Sequence, residues 1–198
     1  MEALERYEAA VASCASIPEL MGIEGNARDM YYAAFDTIID VDGFMFEKRT
    51  RRPPENRLNC LISFGNSMMY ALALSEIYKT HLDPRIGFLH AASSRRFSLN
   101  LDVAEIFKPI IVDRLIFSLI HKGMIKTSDF LPELNGIVMK DKARKAFVEA
   151  LDEKLKTTIM HRELKRNVSY RRLIRLELYK IQKHLMGEKQ YIPFVARW

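Results

Sequence analysis

Residues 60–78, CLISFGNSMMYALALSEIY, carry one charge, Glu76, in nineteen positions. A stretch this apolar is driven out of water, so the fold has to be built around it. Its length is that of a bilayer-spanning helix, but Ser63, Asn66, Ser67 and Ser75 interrupt it. It therefore reads as a buried core helix from about Asn56 to Lys79, with Leu61, Phe64, Met68 and Leu72 as the core stripe. Asp83-Pro84 and Gly87 then supply turn signals.

The rest of the chain follows a helical pattern. One helix is expected over the first 16 residues, and a second over 18–39 with Leu20, Glu24, Ala27 and Tyr31 on one stripe. Residues 42–56 are irregular and contain Pro53 and Pro54. A further helix starts at Ser98 as N-cap, kinks or restarts near Pro109 and stops at Gly123. A short hairpin is expected at Asn135-Gly136, followed by a long helix and a last helix capped by Gly187. The tail YIPFVARW is apolar enough to dock on something. With strands few and short, the expected fold is all-α, one helical domain over residues 1–198. Cys14 and Cys60 form no CxxC pair, and no signal peptide is recognised, so a reduced, cytoplasmic protein is expected.

Charge is unevenly distributed. The net +6 divides into 16 Lys and Arg against 7 Asp and Glu over residues 140–198, and 15 against 18 before them. A basic C-terminal part points to an anionic partner such as nucleic acid. Arg171, Arg172 and Arg175, with Lys180 and Lys183, surround the last helix and suggest a broad DNA-facing surface. Arg49, Arg51, Arg52, Arg95 and Arg96 lie in irregular segments, where they are either phosphate contacts or a solvated loop. No P-loop, GxGxxG or Ser/His/Asp pattern supports nucleotide binding or covalent nucleophilic catalysis.

Four ionisable residues stand where apolar ones belong. Glu24 shares the stripe of Leu20, Ala27 and Tyr31, and His90 closes the apolar run IGFLH. Asp102 and Glu105 are three apart, on one helix face among Leu99, Leu101, Ile106 and Phe107. Two carboxylates about 4 Å apart repel by about 4 kcal/mol at an effective dielectric of 20. A divalent cation turns that repulsion into binding, and a Glu/His/Glu set suits Mn²⁺ or Mg²⁺. Spacing alone leaves a second reading open: a hydrogen-bonded core histidine, Glu24 paired with Arg28, and Glu105 paired with Lys108.

Five blocks occur in order: GIEGNARDMYY, RTRRPPENRLNCLISFGNSMMYALALSEIY, LDPRIGFLH, FSLNLDVAEIFKPIIVDRLIFSLI and SYRRLIRLELYKIQKHLMG. Together they resemble the C-terminal helical domain of the CRISPR-associated adaptation integrase, the Cas "one" endonuclease family. The resemblance implies a metal-dependent DNA endonuclease and integrase that inserts new spacers into the CRISPR array. It implies Mn²⁺ or Mg²⁺ held by Glu24, His90 and Glu105, with Asp102 beside the metal. It places Arg28 and Lys108 facing the DNA backbone. Double-stranded and branched DNA and the second CRISPR adaptation protein are the implied partners. Family members pair into homodimers through an N-terminal β-rich domain that has no counterpart in this sequence. An isolated C-terminal domain, monomeric or weakly dimeric, is therefore expected. Competing readings are a non-enzymatic helical module binding nucleic acid or protein, and a metal-dependent nuclease acting on RNA or branched DNA without integration.

Overall fold

The helix built from the apolar run is α4, Arg57–Ile77. By length and composition it could cross a membrane, yet half of its most apolar stretch is buried inside the protein. Its buried line runs through Leu61, Ile62, Gly65, Met69, Leu72, Ala73 and Ile77. Met69 is the buried methionine, whereas Met68 is only half-buried. A helix apolar almost all round has no polar face to set its phase. Leu61 and Leu72 of the expected stripe are therefore buried, while Phe64 and Met68 are half-buried and Met69 takes the core position.

The computed structural model describes residues 2–90, 96–134 and 136–196. The chain divides into two compact units, Met1–Leu61 with Lys126–Lys140, and Ile62–Ile125 with Asp141–Trp198.

The first unit contains α1 (Glu2–Val11), α2 (Ile17–Ala33), α3 (Phe35–Ile39) and an antiparallel pair, β1 (Phe130–Glu133) and β2 (Gly136–Met139). Ser16 caps α2 by accepting the Glu19 N–H, and Pro18 lies in the first turn, where its missing N–H costs nothing. Tyr31, Tyr32, Phe35 and Phe46 form an aromatic cluster, and Phe44 meets Phe130 edge-on. The irregular 42–56 segment is held by polar bonds. Asp36 accepts the Phe46 N–H, Asn56 donates to the Phe46 carbonyl, and Asn59 donates to the Lys48 carbonyl. The expected hairpin is present, though Asn135 itself lies outside the described residues.

The second unit holds most of α4, α5 (Leu99–Phe107), a π-helical turn (Lys108–Asp113), α6 (Arg114–His121), α7 (Asp141–Lys156), β3 (Thr158–His161), β4 (Arg166–Ser169) and α8 (Tyr170–Leu185). Where a kink was expected at Pro109, the helix widens instead. Proline removes one i→i−4 bond, and a π turn carries the chain past it without a break. Phe64 packs edge-on against Phe147. Gly65 allows close packing: a Cβ there would lie 2.5 Å from Val112 Cγ1 and 3.0 Å from Phe147 Cζ.

The tail docks on this same unit. Glu177, 1% exposed, accepts the Tyr191 hydroxyl at 2.6 Å and the Phe194 N–H at 2.9 Å, while Phe194 stacks on Phe107. Burial and the Glu177 hydrogen bond both push the Tyr191 phenol above its usual range.

The all-α expectation is corrected: the fold is mixed α/β, helix-rich with two small antiparallel sheets. β3 and β4 adjoin helices at both ends and are four residues long, too short to show an alternating pattern of their own. Thr158, Ile159 and Val168 are β-branched, favouring strand over the helix expected there.

Two glycine substitutions should separate packing from propensity. Gly65→Ala should destabilise by about 1–3 kcal/mol through overpacking. Gly22→Ala in α2, with nothing within 4 Å of a new Cβ, should stabilise by about 0.5–1 kcal/mol. Urea unfolding of each variant checks the opposite signs, and equal effects would refute the packing argument.

Candidate functional site

Asp102 stands in the first turn of α5, and its carboxylate turns back onto residues 87–90. Oδ2 accepts the backbone N–H of Phe88 at 2.6 Å and of Leu89 at 3.3 Å. Oδ1 accepts the His90 N–H at 3.1 Å and lies 2.6 Å from His90 Nδ1. Three successive N–H groups thus close on one anion, as they do around bound phosphate. Here the anion is the protein's own. Gly87 is required for this approach, because a Cβ would sit 2.7 Å from Oδ2 and 2.9 Å from Ser98 Oγ. Ser98 holds the N-cap position without capping; its hydroxyl donates to the Arg85 carbonyl instead. The segment before His90 is therefore tied to the start of α5 at both ends.

This arrangement fixes the imidazole. With Nδ1 directed at Asp102, Nε2 is the nitrogen whose lone pair serves a ligand when the ring is neutral. Both oxygens of Asp102 are engaged by donors of its own chain.

Glu105 and Glu24 are each paired locally. The Glu105 carboxylate meets Lys108 Nζ, whose side chain is 6% exposed, at 2.5 Å. That ammonium also donates to the Tyr70 hydroxyl at 2.6 Å and lies 4.4 Å from the Tyr70 ring centroid. Glu24 pairs with Arg28 one turn along α2. Among the described residues, no group of three or more His, Cys, Asp and Glu side chains is gathered in a way that could hold a metal ion. The tight pair is His90 with Asp102. Its chemistry nevertheless suits a metal: a carboxylate-oriented imidazole on a stiff loop is how histidine ligands are commonly supported.

The basic residues occupy different environments. Arg49 donates to the Thr50 carbonyl and to Asn59. Arg51, Arg52 and Arg96 are exposed, and Arg96 covers the Phe97 ring. Arg95 lies outside the described residues. Arg171 faces Asp152 at 3.6 Å, and Arg172 lies over Tyr179. Arg175 is an internal partner: its Nε and Nη2 each reach Oε2 of Glu76 at 2.7 Å, and the Glu76 side chain is fully buried. Lys79 binds the other oxygen of Glu76. Tyr70 was missed by the sequence reading, which treats it as one more apolar position of α4. A lone buried Glu in an apolar run was a signal that some cation must reach it, but not which one.

The family profile described as "CRISPR associated protein Cas1" matches residues 1–153. A CRISPR-associated endonuclease Cas1 of Thermodesulfovibrio yellowstonii is 60% identical over 188 residues, covering 95% of this chain and 57% of the relative. The solved CAS1 protein from Thermotoga maritima superposes with a TM-score of 0.89 at 48% identity, over 95% of this chain and 59% of that one. A casposase bound to integration product gives a TM-score of 0.86 at 24% identity, over 95% of this chain and 53% of that one. That likeness carries the fold alone. The chain spans 57% of the length of the Thermodesulfovibrio relative.

Asp102→Asn tests the clamp. An amide presents one acceptor where the carboxylate offers two, and leaving a buried donor unmatched costs about 1–3 kcal/mol. Amide exchange at Phe88, Leu89 and His90 should accelerate at least about tenfold, while α7 and α8 keep their protection. Unchanged exchange at all three amides would refute the clamp.

Proposed function

The chain belongs to the CRISPR-associated Cas1 family, and on that premise we propose that it carries the catalytic machinery of a metal-dependent DNA endonuclease and integrase. The reaction is phosphodiester cleavage and strand transfer, inserting new spacers into a CRISPR array. Its substrates are double-stranded and branched DNA, and the second CRISPR adaptation protein is its partner. One observation carries this reading: a single histidine, oriented by a carboxylate that also grips its backbone, in a chain of this family.

Glu24, His90 and Glu105 are the residues that would hold Mn²⁺ or Mg²⁺. When bound, such an ion neutralises charge building on the phosphate and makes a water or 3′-hydroxyl nucleophile more acidic. The chain's own residues prepare for this. Asp102 holds the His90 ring by Nδ1 and so leaves the opposite nitrogen to face a ligand. The three N–H groups on Asp102 keep the loop from drifting, so the imidazole loses little freedom when it ligates. Lys108 keeps the Glu105 carboxylate paired, and its contact with Tyr70 retains the ammonium when that carboxylate turns away. Arg51, Arg52 and Arg96 offer exposed guanidinium groups for phosphates. A purely binding module would make Glu24, His90 and Glu105 dispensable.

Two measurements test the proposal together. Mn²⁺ at a hundredfold excess over its Kd should stabilise the folded chain by about 2.7 kcal/mol. Glu24→Gln and His90→Ala should abolish that shift, and with it Mn²⁺-dependent cleavage of branched and linear DNA. If Mn²⁺ raises the melting temperature of His90→Ala as much as that of the parent, the ion binds elsewhere and the ligand assignment is wrong.

A further inference from the structure

The β3–β4 ribbon has a feature that the catalytic reading does not use. Its register pairs Thr158 with Ser169, Ile159 with Val168, Met160 with Asn167 and His161 with Arg166. Val168 is buried and anchors the ribbon, whereas Met160 is 61% exposed on the opposite face. The turn at 162–165 has a defined shape. The Leu164 N–H donates to His161 Nδ1 at 3.2 Å, and Lys165 is in the left-handed region at φ 51°.

Three cations, Arg162, Lys165 and Arg166, are exposed within five residues at this tip. Its one acid, Glu163, is already paired with Lys189 at 3.7 Å. Among the described residues none of the three cations has a carboxylate within ion-pair distance. Arg171 and Arg175, expected to form the basic surface, are instead paired with Asp152 and Glu76. Arg172 and Lys183 of α8 also have no carboxylate within ion-pair distance among the described residues, but the hairpin tip is where three such cations fall within five residues. Like charges held this close repel each other, and a polyanion relieves that repulsion. A two-stranded ribbon is also narrow enough to follow a DNA groove.

We propose that the β3–β4 hairpin is a duplex-DNA contact in its own right, with Arg162, Lys165 and Arg166 each holding a backbone phosphate. This rests on the DNA-processing reading above. Phosphate contacts position a duplex without reading its sequence, so the hairpin binds any duplex.

The test is the variant Arg162→Gln/Lys165→Gly/Arg166→Gln in the full chain. Glycine accepts the left-handed conformation at 165, so the turn is kept while its charge is removed. Binding of a fluorescent linear duplex is followed in metal-free buffer at several salt concentrations. The slope of log affinity against log salt should become shallower by about 2.7 for three lost phosphates, at about 0.9 each. A parallel variant with a photo-crosslinking side chain at Leu164, exposed in the turn among the three cations, should form a DNA adduct. An unchanged slope in a triple variant of normal circular dichroism, or no adduct from a crosslinker variant that still binds the duplex, overturns the hairpin contact and leaves the DNA reading intact. A parent that binds no duplex at low salt overturns the DNA reading itself, and the hairpin with it.

Discussion

The Asp102 carboxylate is the interaction on which the geometry of the second unit's candidate site depends. It lies on a helix among Leu99, Leu101 and Val103, with its side chain 12% exposed. An ionised carboxylate in such a place is untenable without donors. The segment before His90 supplies four, three from the backbone and one from the ring. Each side of this exchange needs the other. Without Asp102 the 88–90 amides lose their acceptor, and without those amides Asp102 is a charge facing leucines. Gly87 and Ser98 follow from the same requirement, one by leaving space and the other by binding the Arg85 carbonyl.

The same principle recurs twice more in that unit. Glu76 is satisfied by Arg175 and Lys79, and Glu177 by Lys180, Tyr191 and the Phe194 amide. Buried ion pairs add little net stability compared with well-packed apolar groups, but breaking one is costly. In this chain they define which elements meet. Leucine on α4 could rest against many apolar surfaces, whereas Glu76 accepts only a register that delivers a guanidinium from α8.

Legibility in the sequence followed the range of each interaction. The central helix was readable because its apolar run is local, but its phase was not, since Met68 and Met69 are equally apolar. Glu24, His90, Asp102 and Glu105 were conspicuous as charges in apolar company. The local pairs Glu24–Arg28 and Glu105–Lys108 were visible from helical spacing as one of two readings. The contact between His90 and Asp102 spans twelve residues, and that of Arg175 with Glu76 spans ninety-nine. Spacing rules do not reach so far. The β3–β4 ribbon was lost for the opposite reason, since four-residue strands beside two strong helices leave no periodicity to detect.

The anchoring of the tail has a consequence for how the protein is made. A ribosome delivers Glu177 before Tyr191 and Phe194, so α8 can wind while two of the donors to its buried carboxylate are still unsynthesised. Until they emerge, that carboxylate has only Lys180 of its own helix as a partner, and the ring of Phe107 lacks the aromatic cover it later receives. The second unit thus reaches its final packing only once residue 194 has left the exit tunnel, well after α8 itself has been made.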